Sequence, residues 1–458
     1  MRVLLVRPPH HSPLLGGYLT TEPLALETVA AGIQDHEVRL LDMQVEPQLE
    51  PTLRSFAPRV VGVGGCTADF PAMVRILREV KRLSPTIFTV VGGHHATVAP
   101  ADFNLPEVDA IVLGMGGQTL DELLSTWERG ADPGVVPGLA LPHASGPRFS
   151  AERPSPASLD QLPAPRRELT LSYRWRYRAL GRPIGLINTA KGCPFRCRFC
   201  SIVTEMKGRY ITRSPDRVVA ELATIPQRHV RFADGNTFGS RRRMLQLHDA
   251  IRGQGLDKRF MVDVRSDTVA RNPELIGRWR QIGLELAAVG LESIRPDRLA
   301  ALNKGSTVDD NLRALQILRD LDIRVVGQFM VDPGFTDDDF DRLLDFVLEQ
   351  RIQLPSFLIT TPFPGTPLHE EQRPHLTTTD QTRFDCFHAV VPTRLPLPLF
   401  YRRFLGLYEQ AFGTRRLLRA AVDRVTRRGG RDLPLPVLCA IRLFLALKRR
   451  GLQREYGL

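Results

Sequence analysis

Export and membrane insertion find little support in this sequence. No run approaches the ~20 apolar residues needed to span a bilayer. The opening Met1–Pro9 has too short an apolar stretch for a signal peptide and no small-residue cleavage site. Cysteine is sparse: six in 458 residues are too few for a disulfide scaffold. With 43% apolar and 24% charged residues, the composition excludes disorder and collagen-like repeats and fits a soluble globular chain of two or three domains. A cytoplasmic chain is expected, where clustered cysteines are more often metal ligands than disulfides. Acidic residues are scarce in one region only. The formal net charge is +12, yet residues 401–458 hold 14 Lys and Arg against 4 Asp and Glu, so the body is nearly neutral and the tail basic.

Residues 1–125 alternate β-branched runs with amphipathic helical periods. Strands are expected at Val3–Val6, Val38–Leu41, Val60–Val63, Phe88–Val91 and Ala110–Leu113, the rhythm of a doubly wound parallel sheet. Ligands of such sheets bind beyond the carboxyl ends of the strands. The loops there read Pro8-Pro9-His10, Gly65-Cys66-Thr67, Gly92-Gly93-His94-His95-Ala96-Thr97 and Gly114-Met115-Gly116-Gly117. Any one of them is equally a tight turn; four together point to a ligand face. A Pro-, Ser- and Arg-rich segment follows. A second series then places strands at Ile184–Thr189, Val230–Ala233, Phe260–Val264, Leu286–Val289, Val325–Met330 and Phe357–Thr360. Helix starts are marked by Ser214-Pro215, Asn272-Pro273, Thr307-x-x-Asp310 and Thr336-x-x-Asp339. Six βα units suggest an incomplete TIM-like barrel with its site at the carboxyl ends of the strands.

Directly after the first of these strands comes Lys191-Gly192-Cys193-Pro194-Phe195-Arg196-Cys197-Arg198-Phe199-Cys200. Three thiolates on a compact loop can hold three corners of a [4Fe–4S] cluster. Cys66, Cys386 and Cys439 lie far off in sequence, so one iron is left open to a non-protein ligand. Zinc, the rival metal, fits three thiolates without a nearby fourth ligand poorly.

The C-x3-C-x-Phe-C loop opening a partial βα barrel resembles the radical S-adenosylmethionine (SAM) superfamily. That resemblance implies that Cys193, Cys197 and Cys200 hold the cluster and that SAM chelates the open iron. It further implies SAM contacts at Asp234 and Gly235 (for the ammonium), Arg265 (for the carboxylate), Glu292 (near the ribose or amino group) and Gln328 (near ribose or adenine). A helix cap or a surface salt bridge is the alternative for each. The Glu22-Pro23-Leu24-Ala25-Leu26-Glu27 start and the Gly92–Thr97 loop resemble the cobalamin-binding group of the superfamily. Cys66, Thr67, Gly92, Gly93, His94 and Gly114 would then contact cobalamin. His94 and His95 lie near corrin amides or are ordinary loop residues, since the Asp-x-His-x-x-Gly pattern for cobalt ligation is absent. Gly114-Met115-Gly116-Gly117-Gln118 stands where many members read Gly-Glu-Gly-Glu.

The Thr361–Thr366 and Leu376–Pro396 stretches narrow the resemblance to hopanoid C-3 methylases and their relatives. The Phe384–Pro396 part reads as substrate contact or as a turn packed on the barrel. The expected domains are a cobalamin-binding Rossmann-like domain (1–142), a linker (143–182), a radical SAM partial (β/α)6 barrel (183–400) and a basic helical C-terminal region (401–458). The resemblance implies two uses of SAM: one molecule methylates cobalamin, the other yields a deoxyadenosyl radical that activates a substrate carbon. It also implies a reducing donor such as flavodoxin or ferredoxin and a small-molecule or lipid substrate. No nucleic-acid partner is expected. The Val437–Leu447 stretch with its flanking basic residues suits a helix on an anionic membrane surface or one packed on the barrel.

Overall fold

A computed structural model describes residues 1–10, 19–179 and 181–413. The basic tail beyond residue 413, with the Val437–Leu447 run, lies outside the described residues.

In chain order the strands are β1 (Arg2–Arg7), β2 (Leu19–Thr20), β3 (Glu37–Asp42), β4 (Val60–Gly64), β5 (Phe88–Gly92), β6 (Ala110–Val112), β7 (Leu139–Leu141) and β8 (Arg148–Phe149). The first sheet has the order β3-β1-β4-β5-β6-β7-β8, parallel from β3 to β6 and antiparallel beyond. Alternate residues of a strand face opposite sides, and β1 feeds two cores accordingly. Leu4 and Val6 pack with Met73, Ile76, Leu77 and Val80 of the helix Phe70–Leu83. Val3 and Leu5 pack on the other side with Ala30, Leu120, Leu123 and Leu124. Helices on both faces are what make the strands apolar along their whole length.

The second series contains β9 (Arg178–Ala179), β10 (Arg182–Ile187), β11 (Ala190–Gly192), β12 (Tyr210–Thr212), β13 (His229–Phe232), β14 (Arg259–Arg265), β15 (Leu284–Glu292), β16 (Arg324–Val331) and β17 (Leu354–Ile359). Six strands, β10-β13-β14-β15-β16-β17, lie side by side and parallel, giving the partial barrel. Its outer core centres on buried Trp279, whose ring meets Phe232, Phe238 and Phe260 edge-on. All four expected helix starts are present, and Thr307–Asp310 and Thr336–Asp339 form capping boxes.

The segment expected as a linker is drawn into both sheets. Its β8 closes the first sheet, and its β9 pairs antiparallel with β10. The early strand β2 pairs with β9 rather than with the first sheet. A buried ionic hub ties these parts together. Arg167 pairs with Glu22 at 2.8 Å and Glu221 at 2.6 Å, lies 3.9 Å from Glu27, and donates to the Leu186 carbonyl. Glu22 accepts the Leu186 N–H, and Glu27 accepts the Thr170 hydroxyl. The Glu22–Glu27 motif thus bolts the N-terminal helix to the barrel wall.

Burial, reinforced by the Glu22 charge and opposed by Thr170 and Arg167, pushes the Glu27 carboxyl up to about 7. A raised carboxyl pKa means the folded state binds more protons between the unfolded and folded values. The stabilisation from this group is complete below about 4.5 and is lost as pH rises through about 7. Glu27→Gln is expected to remove that slope, worth up to about 3 kcal/mol. Denaturation midpoints of variant and wild type should diverge with rising pH; parallel curves would refute it.

Candidate functional site

The cysteine loop is anchored before it begins. Asp234, buried just past β13, accepts the N–H groups of Thr189 (2.7 Å) and Ala190 (2.9 Å) and the Thr189 hydroxyl (2.6 Å). Burial pushes its carboxyl up, against those hydrogen bonds. The carboxylate expected to meet the SAM ammonium therefore directs most of its accepting capacity to the base of the loop. Antiparallel pairing of β11 with β12 clamps both ends of the segment. Gly192 sits at φ +81°, where a Cβ would overlap the Arg209 carbonyl oxygen, so only glycine fits. Outside, Asn303 donates to the Arg196 carbonyl (2.8 Å) and the Arg198 N–H to Leu302 (3.0 Å).

Within this frame Cys193 and Cys197 are buried and Cys200 half-buried. Burial pushes the Cys193 and Cys200 thiols up. Backbone N–H groups from Phe195 to Cys193, and from Ile202 and Val203 to Cys200, act in the opposite direction. A guanidinium N–H of Arg265 lies 3.5 Å from the Cys197 sulfur. Soft thiolates on one loop, with N–H donors toward each, form a donor set suited to an iron–sulfur cluster. Among the described residues no three His, Cys, Asp or Glu side chains converge as ligands of a single ion would. The cysteines of a cubane each bind a different iron and need not do so.

The expected SAM residues divide into two groups. Arg265, already against the cysteine loop at Cys197, is linked to Glu292 by a residue the sequence did not single out, Lys304. The Arg265 guanidinium donates to the Lys304 carbonyl, and Lys304 Nζ to Glu292 Oε1 at 2.7 Å. Glu292 holds φ +58° at a register shift between β15 and β16, backbone strain of the kind concentrated at working sites. Gln328 stands apart on β16, beside Gly290 and Ser356. It alternates with buried residues and so faces the concave side of the sheet. Gly235 is exposed, and a Cβ there would press on Ile202 at 3.0 Å, in the helix after Cys200. Asn236, Ser266 and Ser306 were also missed. They are buried, and their side-chain polar atoms lack hydrogen-bond partners. Unsatisfied buried polar atoms past the strand ends suit a polar ligand.

The glycine-rich loops of the first sheet gather at its carboxyl edge. Gly93 (φ +92°) lies so close to Gly65 that a Cβ would approach its backbone at 3.1 Å. Gly92 ends β5 beneath it. Thr97 accepts the Gly114 N–H at 2.9 Å, and Gly114 opens on free space. Cys66 is exposed, its N–H donating to Asp69; Thr67 is buried with an unpartnered hydroxyl. This edge, with its open cradle and orphan hydroxyl, suits a large polar cofactor. The two histidines diverge. His95 is buried between Phe70 and Phe103. His94 Nδ1 lies 2.8 Å from Glu205 Oε2, at the end of the helix Ser201–Glu205 that follows Cys200. Burial pushes the Glu205 carboxyl up, but the His94 hydrogen bond and the His94 and Lys191 charges prevail and hold it below its usual value.

A third element closes the junction. Gly365 (φ +77°) would meet Val98 at 3.3 Å and Thr204 at 3.1 Å if it carried a Cβ, so it sits between the helix His94–Val98 and the helix after Cys200. Farther on, Gln381 donates to Asp102 at 2.9 Å, and its 3-10 turn Gln381–Arg383 packs on Thr67–Asp69. In the Phe384–Pro396 segment, Phe384, Phe387 and Val390 are buried, and the Cys386 carbonyl accepts the N–H of Ile359.

Comparison with known proteins agrees with this arrangement. The Radical SAM superfamily model matches residues 187–347 and the B12 binding domain model residues 17–124. The hopanoid C-3 methylase of Methylococcus capsulatus is 30% identical over 444 residues, covering 94% of this chain and 84% of that protein. An anaerobic magnesium-protoporphyrin IX monomethyl ester cyclase of Rubrivivax gelatinosus is 26% identical, covering 86% and 74%. The structure of TsrM from Kitasatospora setae, a radical SAM methyltransferase with cobalamin and a [4Fe-4S] cluster bound, shares the fold. Its TM-score is 0.68 at 19% identity, covering 90% of this chain and 88% of that one. The chain belongs to the cobalamin-dependent radical SAM methyltransferase family, whose cofactors are a [4Fe–4S] cluster, SAM and cobalamin.

Proposed function

We propose that this enzyme methylates an unactivated carbon of a lipid such as a hopanoid, at the C-3 position. When bound, the cluster with SAM supplies hydrogen abstraction and cobalamin supplies the methyl group. The chain's own residues hold and orient. Cys193, Cys197 and Cys200 would hold the cluster; Gly235, Glu292 and Gln328 would line the SAM pocket, with Asp234 bracing its base. Gly92, Gly93, His94, Gly114, Cys66 and Thr67 would cradle the cobalamin.

The observation that carries the reading is the His94–Glu205 contact. It sets the cobalamin-type loop against the helix after the cluster cysteines, which transfer of a methyl group to a carbon activated at the cluster requires. The concave side offers apolar Val326 and Met330 beside Gln328 on β16 and an Arg231–Asp263 ion pair (2.9 Å), a mixed face whose apolar points would meet a ring system and whose polar points would orient it. Exposed Arg196 beside Cys197 gives an acidic donor such as flavodoxin or ferredoxin a docking charge. Among the described residues no helix is long and apolar enough to cross a membrane; peripheral contact would rest on the basic tail.

Expression in a hopanoid-producing host that lacks side-ring methylation tests the substrate. Lipids one methyl group heavier on the A ring are expected by mass spectrometry. An unchanged lipid profile from a cluster-loaded, SAM-cleaving protein would refute the lipid assignment. The cyclase relative supports a second reading: methylation or cyclisation of another natural-product scaffold.

A further inference from the structure

We propose that Arg265 tunes the cluster through the Cys197 sulfur and does not clamp the SAM carboxylate. A guanidinium carries five N–H donors, and four are directed here. Nε meets Asp267 Oδ1 at 2.9 Å, and Nη2 meets Asp267 Oδ2 at 3.0 Å and the Lys304 carbonyl. Nη1 donates to Cys197 Sγ at 3.5 Å. A single N–H remains, too few for a bidentate grip on a carboxylate.

The side chain is also fixed in place. Arg265 and Asp267 are both buried, and the guanidinium lies 3.7 Å from the centroid of the Phe195 ring, inside the cysteine loop itself. The Thr268 N–H donates to Asp267 in turn. A donor held this firmly against a ligating sulfur favours the more negative, reduced form of the cluster, [4Fe–4S]2+ plus one electron giving [4Fe–4S]1+. The electron comes from a low-potential one-electron donor, and no bond is made or broken.

The inference rests on the cluster assignment, and the experiment separates the two. Removing Arg265 alone would leave the buried Asp267 with only the exposed Arg271 at 4.0 Å and the Thr268 N–H, an undercompensated negative charge that would itself depress the potential. The neutral pair Arg265→Leu with Asp267→Asn is therefore compared with wild type. Both proteins are anaerobically reconstituted, matched for iron content and free of SAM. The midpoint potential is read by EPR-monitored titration, and SAM affinity is measured separately.

The double variant is expected to reduce with an equilibrium constant about tenfold lower, about 59 mV for a one-electron couple. Arg265→Lys should shift less in the same direction. An unmoved potential, whatever happens to SAM affinity, overturns the proposal. If the double variant takes up no cluster, Arg265→Lys decides, and a wild-type potential in that variant overturns it equally. A wild-type chain that binds no iron would overturn the cluster assignment itself, and this inference with it.

Discussion

Replacing Cys193, Cys197 and Cys200 together by alanine is expected to abolish cluster assembly and, with it, formation of 5′-deoxyadenosine from SAM. Among the described residues the two other thiols belong to different loops. Cys66 lies past β4 in the first sheet, and Cys386 lies past β17, where its carbonyl is bonded to Ile359. The loop should keep its course without the metal, because Asp234 and the β11–β12 pairing fix its ends. Far-UV circular dichroism should therefore match wild type while iron content and 5′-deoxyadenosine fall to background. Retained 5′-deoxyadenosine production by the anaerobically reconstituted variant would remove the chemical basis of the assignment.

The largest stability effect is expected at Arg167. Arg167→Met leaves Glu22, Glu27 and Glu221 crowded in the interior with one cation, Arg213, still paired to Glu221. Breaking a buried ionic network by removing one partner typically destabilises by about 3–5 kcal/mol, because uncompensated charge stays behind. The Leu186 carbonyl also loses a donor. Urea denaturation at neutral pH should show that loss, and Glu27→Gln in the same background should recover part of it by removing one stranded carboxyl. A double variant no more stable than Arg167→Met would show that Glu27 does not sense the arginine.

Most of the architecture was legible because its signals are local. Alternating β-branched runs located the five parallel strands of the first sheet and the six of the barrel, and the Thr307 and Thr336 boxes marked helix starts. The cysteine loop stood out for the same reason: three cysteines within eight residues are a local signal.

Less legible were the pairings between residues distant in sequence. A two-residue strand such as Leu19–Thr20 has no period, and nothing local directs it to Arg178–Ala179. Asp234 followed a strand where a ligand contact was expected, yet it faces Thr189 and Ala190, 45 and 44 positions earlier. Lys304 and Glu205 look like ordinary surface charges until the fold brings them to Glu292 and His94. Gly365 carried a visible Pro-Gly turn signal, but its place between Val98 and Thr204 belongs to the tertiary structure alone. Asp267 was the nearest miss: a carboxylate two residues beyond a strand-ending arginine is a readable sign that the arginine is already engaged.

Methyl transfer is tested most directly by incubating the reconstituted protein with cobalamin, a strong reductant, the isolated lipid substrate and SAM labelled in its methyl group. Labelled product is expected to accumulate in step with 5′-deoxyadenosine. Undiminished 5′-deoxyadenosine and consumption of the lipid, with no label in any product, would contradict a methylase and identify the chain as a cyclase or oxidoreductase.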